Sequence, residues 1–407
     1  MPDRVVRRAR IAVAVTFFVN GALIGTWAAR IPAVKGHLGL DAPQLGLALL
    51  GPTLGALAGI PLAGALVARR GSRPVTRAAV FAHCAVLPLA GLAPDLMALW
   101  AALLLFGLAN GLLDVSMNTQ GIAVERAWQR PIMASFHGLF SLGALAGALG
   151  GSAAAALGLT PAAHFTLAAA SLAAIAAGAN RWLLAADDGS RQALRLARPS
   201  RWLVLLGLIG FCCLFGEGAA GDWSAVYLRE VRAASPAVAA LAFAAFSLAM
   251  TSGRLLGDRA TARWGPRLAL RAGASLAAGG LLVALLIPTR PAGILGFGLL
   301  GAGLSITIPI VFSSAGRGAG GSGDQGQPSG RPPVQQPAGP AIAAVTGMSY
   351  LGGLAGPPLI GMVAGQLGLT RALGLIVLLA AVAAVLAGVA PAAATMPRHI
   401  PPPAPLD

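Results

Sequence analysis

Twelve apolar runs, each near the length of a membrane span, constrain this 407-residue chain more than any other feature. They cover about 11–29, 45–67, 75–93, 96–118, 132–156, 161–179, 202–224, 237–257, 268–287, 291–313, 341–365 and 371–391. A helix needs roughly 20 apolar residues to cross the hydrocarbon core of a bilayer. Lipid offers the backbone no hydrogen bonds, so only helices and closed barrels cross it, and runs this long exclude barrel strands. Charge is correspondingly scarce: 10% of residues are charged, against about 25% in a soluble domain. The predicted fold class is an all-α polytopic membrane protein with twelve transmembrane helices.

The connections test that count. The opening MPDRVVRRAR leads into a long apolar stretch with no A-x-A cleavage pattern and more spans behind it, so it reads as a retained first helix. If the connections alternate sides from there, one side receives 23 of the 29 basic residues and the other only Arg30, Lys35, Arg229, Arg232, Arg290 and Arg371. The positive-inside rule then predicts a multi-pass membrane protein with both termini cytoplasmic. The same skew explains the net charge of +16 without a nucleic-acid partner, because the arginines sit at the ends of apolar runs rather than in one module. Lys35 is the sole lysine. A phosphate-cradling loop ending in Gly-Lys is therefore absent, which argues against direct ATP drive. No cofactor, metal cluster or nucleophile triad is expected, and an enzyme is excluded. Cys84, Cys212 and Cys213 have no pairing or zinc spacing and read as small apolar fillers.

The chain divides near its middle. Residues 181–201 form the longest polar stretch between spans six and seven, so the expected units are 1–180, a cytoplasmic loop at 181–201, and 202–395. Residues 315–340 are rich in Gly, Pro, Gln and Ser and read as a disordered cytoplasmic insertion, and 396–407 as a tail. The units echo each other: LGALAG at 142–147 returns as LGGLAG at 351–356, GALVARRGSR at 64–73 as RLLGDRATARWGPR at 254–267, and FGLANGL at 106–112 as FGLLGAGL at 297–304. Each pair is six spans apart. That is the signature of two pseudo-symmetric six-helix bundles around a central cavity.

These motifs resemble those of the major facilitator superfamily over essentially the whole chain. Its loop motif after the second span, G-x-x-x-D-R/K-x-G-R/K-R/K, is matched at Gly64, Arg69, Gly71 and Arg73, with Ala68 in place of the acid. The second copy is read with Asp258 and Arg259 at the acid and base and a four-residue insertion before Gly265. A span-five motif is matched at Gly143, Gly147, Gly150 and Gly151, with Ala148 in place of proline, and Gly352, Gly356, Pro357 and Gly361 follow a similar order. The stretches DVSMNTQGIAVE, RPIMASFHGLFSLG and GDWSAVYL look like a bacterial inner-membrane permease branch similar to a rhizopine-associated membrane protein. The resemblance implies alternating access with spans one, four, seven and ten lining the cavity. It also implies an inner latch at Arg69, Arg73, Arg254, Asp258 and Arg259.

Glycines at 51, 55 and 59 fall on one face of span two, where small residues let helix backbones approach. The glycine faces of spans five and eleven are expected to do so at the seam between halves.

Acids inside spans are costly and mark function by default. Asp114, Glu217 and Asp222 lie within spans and Asp258 at an inner edge. Arg30 closes span one at the outer rim, so an outer gate pairing Arg30 with Asp222 or Glu217 is predicted. Glu217 is the candidate for proton or substrate binding. Asn110, Asp114 and Asn118 recur every four residues on span four, a face whose amides can meet solute hydroxyls. Counting from the loop TQGIAVERAWQR, taken to lie along the inner surface, puts Asp114 and His137 at one depth, so the two are expected to meet. Arg254 and Asp258, four apart, are expected to pair. Trp27, Trp223 and Tyr227 read as outer-interface aromatics or solute-stacking rings.

The expectation is a monomeric secondary transporter for a small polyol- or sugar-like solute, its only other partner the lipid bilayer, with the proton gradient as energy source. A drug–proton antiporter and a non-transporting membrane sensor or assembly protein are the alternatives.

Overall fold

A computed structural model of the chain describes residues 4–129, 132–185, 201–311, 314–315 and 338–389. Twelve long helices account for the regular structure of these residues: α1 (Arg4–Leu38), α2 (Ala42–Arg70), α3 (Ser72–Leu92), α4 (Leu96–Trp128), α5 (Met133–Ala156), α6 (Pro161–Asn180), α7 (Arg201–Glu230), α8 (Pro236–Trp264), α9 (Pro266–Leu286), α10 (Arg290–Val311), α11 (Ala338–Leu367) and α12 (Leu369–Val389). Eleven meet the length and apolarity needed to cross a membrane, and α11 is a 30-residue helix in the same layer. Helix α2 is broken at Leu49. The central loop beyond 185, the stretch 316–337 and the tail fall outside the described residues.

We call the end where α1 begins basal and the other distal. Every even-numbered helix from α2 to α10 starts at the distal end behind a capping side chain: Asp41, Asp95, Thr160, Ser235 and Thr289 each accept from a backbone N–H of the first turn. Such caps satisfy donors the helix cannot, each worth about 1 kcal/mol. Two of the chain's few acids are thereby accounted for.

The two halves, α1–α6 and α7–α12, repeat one packing scheme. Helix α1 runs along α5 as α7 runs along α11, and α2 along α4 as α8 along α10. Glycines permit these approaches. A Cβ on Gly143 would overlap the Phe18 carbonyl oxygen of α1, and one on Gly352 would overlap that of Phe211 on α7. The glycine faces of spans five and eleven thus pack α1 on α5 and α7 on α11 within each half, and only the distal end of the span-eleven face, at Gly361 and Gly365, meets the other half, against Gly46 and Pro43, so most of the two faces do not lie at the seam as expected. The span-two face packs as predicted, with Gly55 and Gly59 against the Leu104 and Leu108 carbonyls of α4.

The basal turns repeat as well. Gly71 adopts φ 77°, ψ 161° and Gly265 φ 78°, ψ 157°, a conformation open only to glycine at low cost. Each donates its N–H to the carbonyl four residues back, Val67 or Thr261. With these glycines matched, Ala68 corresponds to Ala262 and Arg77 to Arg271, with no insertion. Asp258 then faces Gly64 in the repeat, so neither copy carries the motif's acid and the expected Asp258–Arg259 counterpart does not hold. Arg77 donates to the Asn180 and Arg181 carbonyls at the end of α6, and Arg73 joins it on Arg181. Arg271 lies correspondingly against Gly388 near the end of α12. Cations at helix C-termini are favoured by the backbone dipole.

Several helices outrun their apolar cores. Residues 119–128, expected on the inner surface, continue α4 as helix to Trp128. Glu125 there accepts the N–H groups of Ile132 and Met133 at 2.7 and 2.8 Å, capping α5 from its neighbour. Trp223 and Tyr227 are fully buried inside the second half, donating to the Pro357 and Ala284 carbonyls. They are core residues and not interface aromatics. All three cysteines are buried.

Candidate functional site

A cavity of about 380 Å³ lies between the halves. Such a volume suits a small molecule. Helices α1, α2, α4 and α5 line it from one half and α7, α8 and α11 from the other. Its charged residues are Glu217, Asp222 and Arg254, all from the second half, and the first half adds Asn110, Ser141 and Thr53. Much of the remaining wall is aromatic: Trp27, Phe106, Phe140, Phe243 and Phe246.

Arg254 organises the site. Its Nη2 donates to Glu217 Oε1 at 3.1 Å and its Nη1 to Ser141 Oγ at 3.3 Å. One guanidinium thus joins α8 to α7 in its own half and to α5 across the seam. The rigid fork of donors makes arginine suited to holding two acceptors at once. Arg254 thus reaches an acid other than the Asp258 with which it was expected to pair. Helix α8 continues ten residues past Arg254 to Trp264, so Arg254 sits well inside the bundle and its side chain reaches the cavity. The side chain of Asp258 lies outside the described residues. Arg259 and Arg69 are exposed at the basal end.

Arg30 does not gate the cavity with Asp222 or Glu217. It is 4% exposed and turns into its own half, where Nη2 donates to the Leu159 carbonyl. The short α5–α6 turn offers that carbonyl next to the end of α1, while Glu217 is already held by Arg254. The distal closure is built from other residues. Lys35 and Glu230 form an ion pair across the halves, Ser152 donates to the Ala237 carbonyl at 2.8 Å, and a Cβ on Gly46 would stand 3.0 Å from the Gly361 Cα.

Exposure differs between the two ends of the cavity. Tyr350, which lines it on the basal side, is 49% exposed, whereas Trp27 on the distal side is 4% exposed.

Of the span-four face only Asn110 lines the cavity. Its Oδ1 is buried without a hydrogen-bond partner, as is the indole N–H of Trp27. Asn118 instead donates to the Asp114 carboxylate at 3.2 Å and to its carbonyl at 2.8 Å. Among the described residues no hydrogen bond or ion pair joins Asp114 to His137. Because α4 runs on to Trp128, Asp114 stands fourteen residues from its basal end, while His137 is four residues into α5. Glu125 on α4 is level with Met133 at the start of α5, so at about 1.5 Å per residue the two differ in depth by roughly 10 Å. His137 lies edge-on to Phe17 and within electrostatic reach of Arg254. Tyr350 is the group that feels both Asp114 and Glu217. Asp222 lines the cavity and has no hydrogen-bond or ionic partner among the described residues.

Ser141, Tyr350 and the Lys35–Glu230 pair were not singled out as site residues by sequence. Single hydroxyls in apolar runs carry little signal, though an isolated lysine at a span end was a usable one.

Comparison with known proteins agrees with this architecture. The family model described as Major Facilitator Superfamily matches residues 12–329. The chain is 36% identical to an uncharacterised MFS-type transporter of Yersinia pestis over 91% of its length and 92% of the relative's. It is 34% identical to the membrane protein MosC of Rhizobium meliloti over 89% of its length and 85% of that protein's. The fold is similar to the crystal structure of a bacterial homologue of the human lysosomal transporter Spinster in an inward-facing, unoccupied conformation, with a TM-score of 0.71, 14% identity, and coverage of 96% of this chain and 98% of that one. With its helix repeat, two-half cavity and these relatives, the chain belongs to the Major Facilitator Superfamily and is a secondary transporter, not an enzyme.

Proposed function

We propose that the chain moves a small, polar, hydroxylated solute across the bacterial inner membrane by alternating access driven by protons. Its basal end, with both termini, faces the cytoplasm, in keeping with the 23 basic residues on that side. The conformation described is then inward-open, sealed distally by Lys35–Glu230 and the Gly46–Gly361 approach.

The carrying observation is the three-way contact of Arg254. Its bond to Ser141 crosses the seam, so rocking of the halves must break or remake it. Its bond to Glu217 stays within one half and is retuned when the other contact changes. A carboxylate whose cationic partner and hydration change with the state gains and loses a proton in step with it. Glu217 is therefore the coupling acid. Asn110 and Ser141 are placed to meet solute hydroxyls, since amide and hydroxyl groups both donate and accept.

The test begins with a thermal-shift screen of the purified protein against polyols, sugars, amines and cationic drugs, because a bound ligand stabilises the folded state. Proteoliposomes then take up the best ligand against its gradient under an imposed proton gradient. Glu217→Gln abolishes uphill uptake and leaves solute exchange intact. Persistent uphill uptake in that variant refutes the coupling role. The aromatic wall supports a second reading, a drug–proton antiporter, which selective stabilisation by large cationic drugs would favour.

A further inference from the structure

The basal edge of the first half gathers more arginine than its helix contacts use. Arg70 ends α2 and is exposed, and Arg73 and Arg77 lie half-buried on the first two turns of α3. None of the three forms an ion pair with an acid among the described residues, where the paired acids Glu230 and Glu217 hold Lys35 and Arg254. Holding the end of α6 occupies only part of two forks. Arg77 donates there through Nε and Nη2, and Arg73 through Nη2.

These cations border a surface depression that is otherwise apolar. An open groove of about 690 Å³ is lined by Arg73, Pro74, Arg77, Ala78 and Phe81. A second, of about 170 Å³, lies where α2 ends and α3 begins. It has Leu66, Arg70 and Ala82 on its wall and shares Pro74 and Ala78 with the first. Past the grooves the same face of α3 stays apolar, with Phe81, Ala82, Ala85 and Leu89 exposed. Leu89 stands eight residues beyond Phe81, roughly 12 Å further from the basal end. Arginine at the end of a span followed by an apolar channel along it matches the polarity of one phospholipid. Guanidinium forks suit phosphate oxygens, and basic pockets between membrane helices take anionic headgroups. A free phosphate would meet the arginines and leave the apolar wall bare.

We infer that this groove binds an anionic glycerophospholipid of the basal leaflet, its phosphate on Arg70, Arg73 and Arg77 and its acyl chains along Pro74, Ala78 and Phe81. The site lies on the outside of the first half and is separate from the central cavity.

The test is native mass spectrometry of the full-length protein in detergent, titrated with dioleoyl phosphatidylglycerol or dioleoyl phosphatidylcholine. The wild type binds its first phosphatidylglycerol about tenfold or more tightly than phosphatidylcholine. Arg70→Gln lowers that affinity about fivefold, the scale of one basic residue at an anionic headgroup. Arg70→Gln with Arg77→Gln erases the preference, and Arg77→Lys keeps most of it. Ala78→Trp fills the groove with charge unchanged and weakens phosphatidylglycerol about tenfold. Arg263→Gln, at an exposed basal arginine of the second half, leaves the affinity as it was. Thermal unfolding without added lipid, unchanged in Arg70→Gln and Ala78→Trp, separates loss of binding from loss of fold. Equal affinity for the two lipids, a preference that survives the double substitution, or undiminished binding in Ala78→Trp overturns the inference. So does an Arg263→Gln loss as large as that of Arg70→Gln, because basal charge in general would then select the lipid. Displacement of phosphatidylglycerol by equimolar glycerol 3-phosphate assigns the arginines to a free anion and overturns it as well.

Discussion

The two halves share a backbone and divide the chemistry. Helix pairings, glycine approaches and the glycine turn at 71 and 265 recur with nearly equal dihedral angles. Yet the first half lines the cavity with amides, hydroxyls and rings, and the second brings every charged residue, on α7 and α8. Duplicated geometry therefore serves as frame, and the function rests on where symmetry fails. Charge on one side only gives the rocking motion something to act on: the seam contact of Arg254 to Ser141 joins a charged group to a neutral one, which is easier to break than a second ion pair.

That contrast can be broken or sharpened by paired substitutions. The largest difference is expected between Arg254→Met and Ser141→Ala. The first strands Glu217 and costs transport about a hundredfold, the scale of removing one partner of a partly buried pair. The second removes one interhelical hydrogen bond worth about 0.6 kcal/mol and slows uptake by about threefold. Proteoliposome uptake measures both, and equal losses would dissolve the division of labour. Next come Gly143→Val and Gly352→Val, which crowd a backbone carbonyl in either half. Each should lower stability by about 2 kcal/mol, on the scale of overpacked cores, and thermal unfolding in detergent should rank them alike. Unequal losses would show that the halves share a pattern without sharing its energetics. Gly71→Ala and Gly265→Ala should each cost about 1–2 kcal/mol, because alanine resists that backbone conformation. The smallest effect belongs to Lys35→Met. The ion pair it removes has Glu230 40% exposed, so about 0.5 kcal/mol is expected in the balance between distally closed and open forms. Crosslinking of cysteines at 43 and 365 reads that balance, and an unchanged yield would remove Lys35 from the closure.

Much of the frame was legible from the chain. Apolar runs and the sidedness of arginine give the helices, and the echo of LGALAG in LGGLAG gives the correspondence of α5 to α11 in the repeat. Helix ends were less legible, since α4 keeps its helical bonding beyond its apolar run, through polar residues such as Glu125. That overrun is why Asp114 and His137 looked level and are not. Glu217, Asp222 and Asn110 stood out because polarity inside a membrane run is expensive. Their partners were hidden for a different reason. A partner is chosen by three-dimensional approach, and Arg254 had a nearer acid in sequence, Asp258, than the one it holds in space. Arg30 misled similarly: its height matched Asp222, but its direction was fixed by the Leu159 carbonyl.

Confining charge to α7 and α8 also bears on how such a chain diversifies after gene duplication. Solute preference can drift through substitutions at a few neighbouring turns of two helices, with the other half held constant as a template. Lineages descended from this architecture should therefore keep the Glu217–Arg254 pair and the glycine faces that set helix spacing, and differ most at the other cavity-lining positions of α7 and α8.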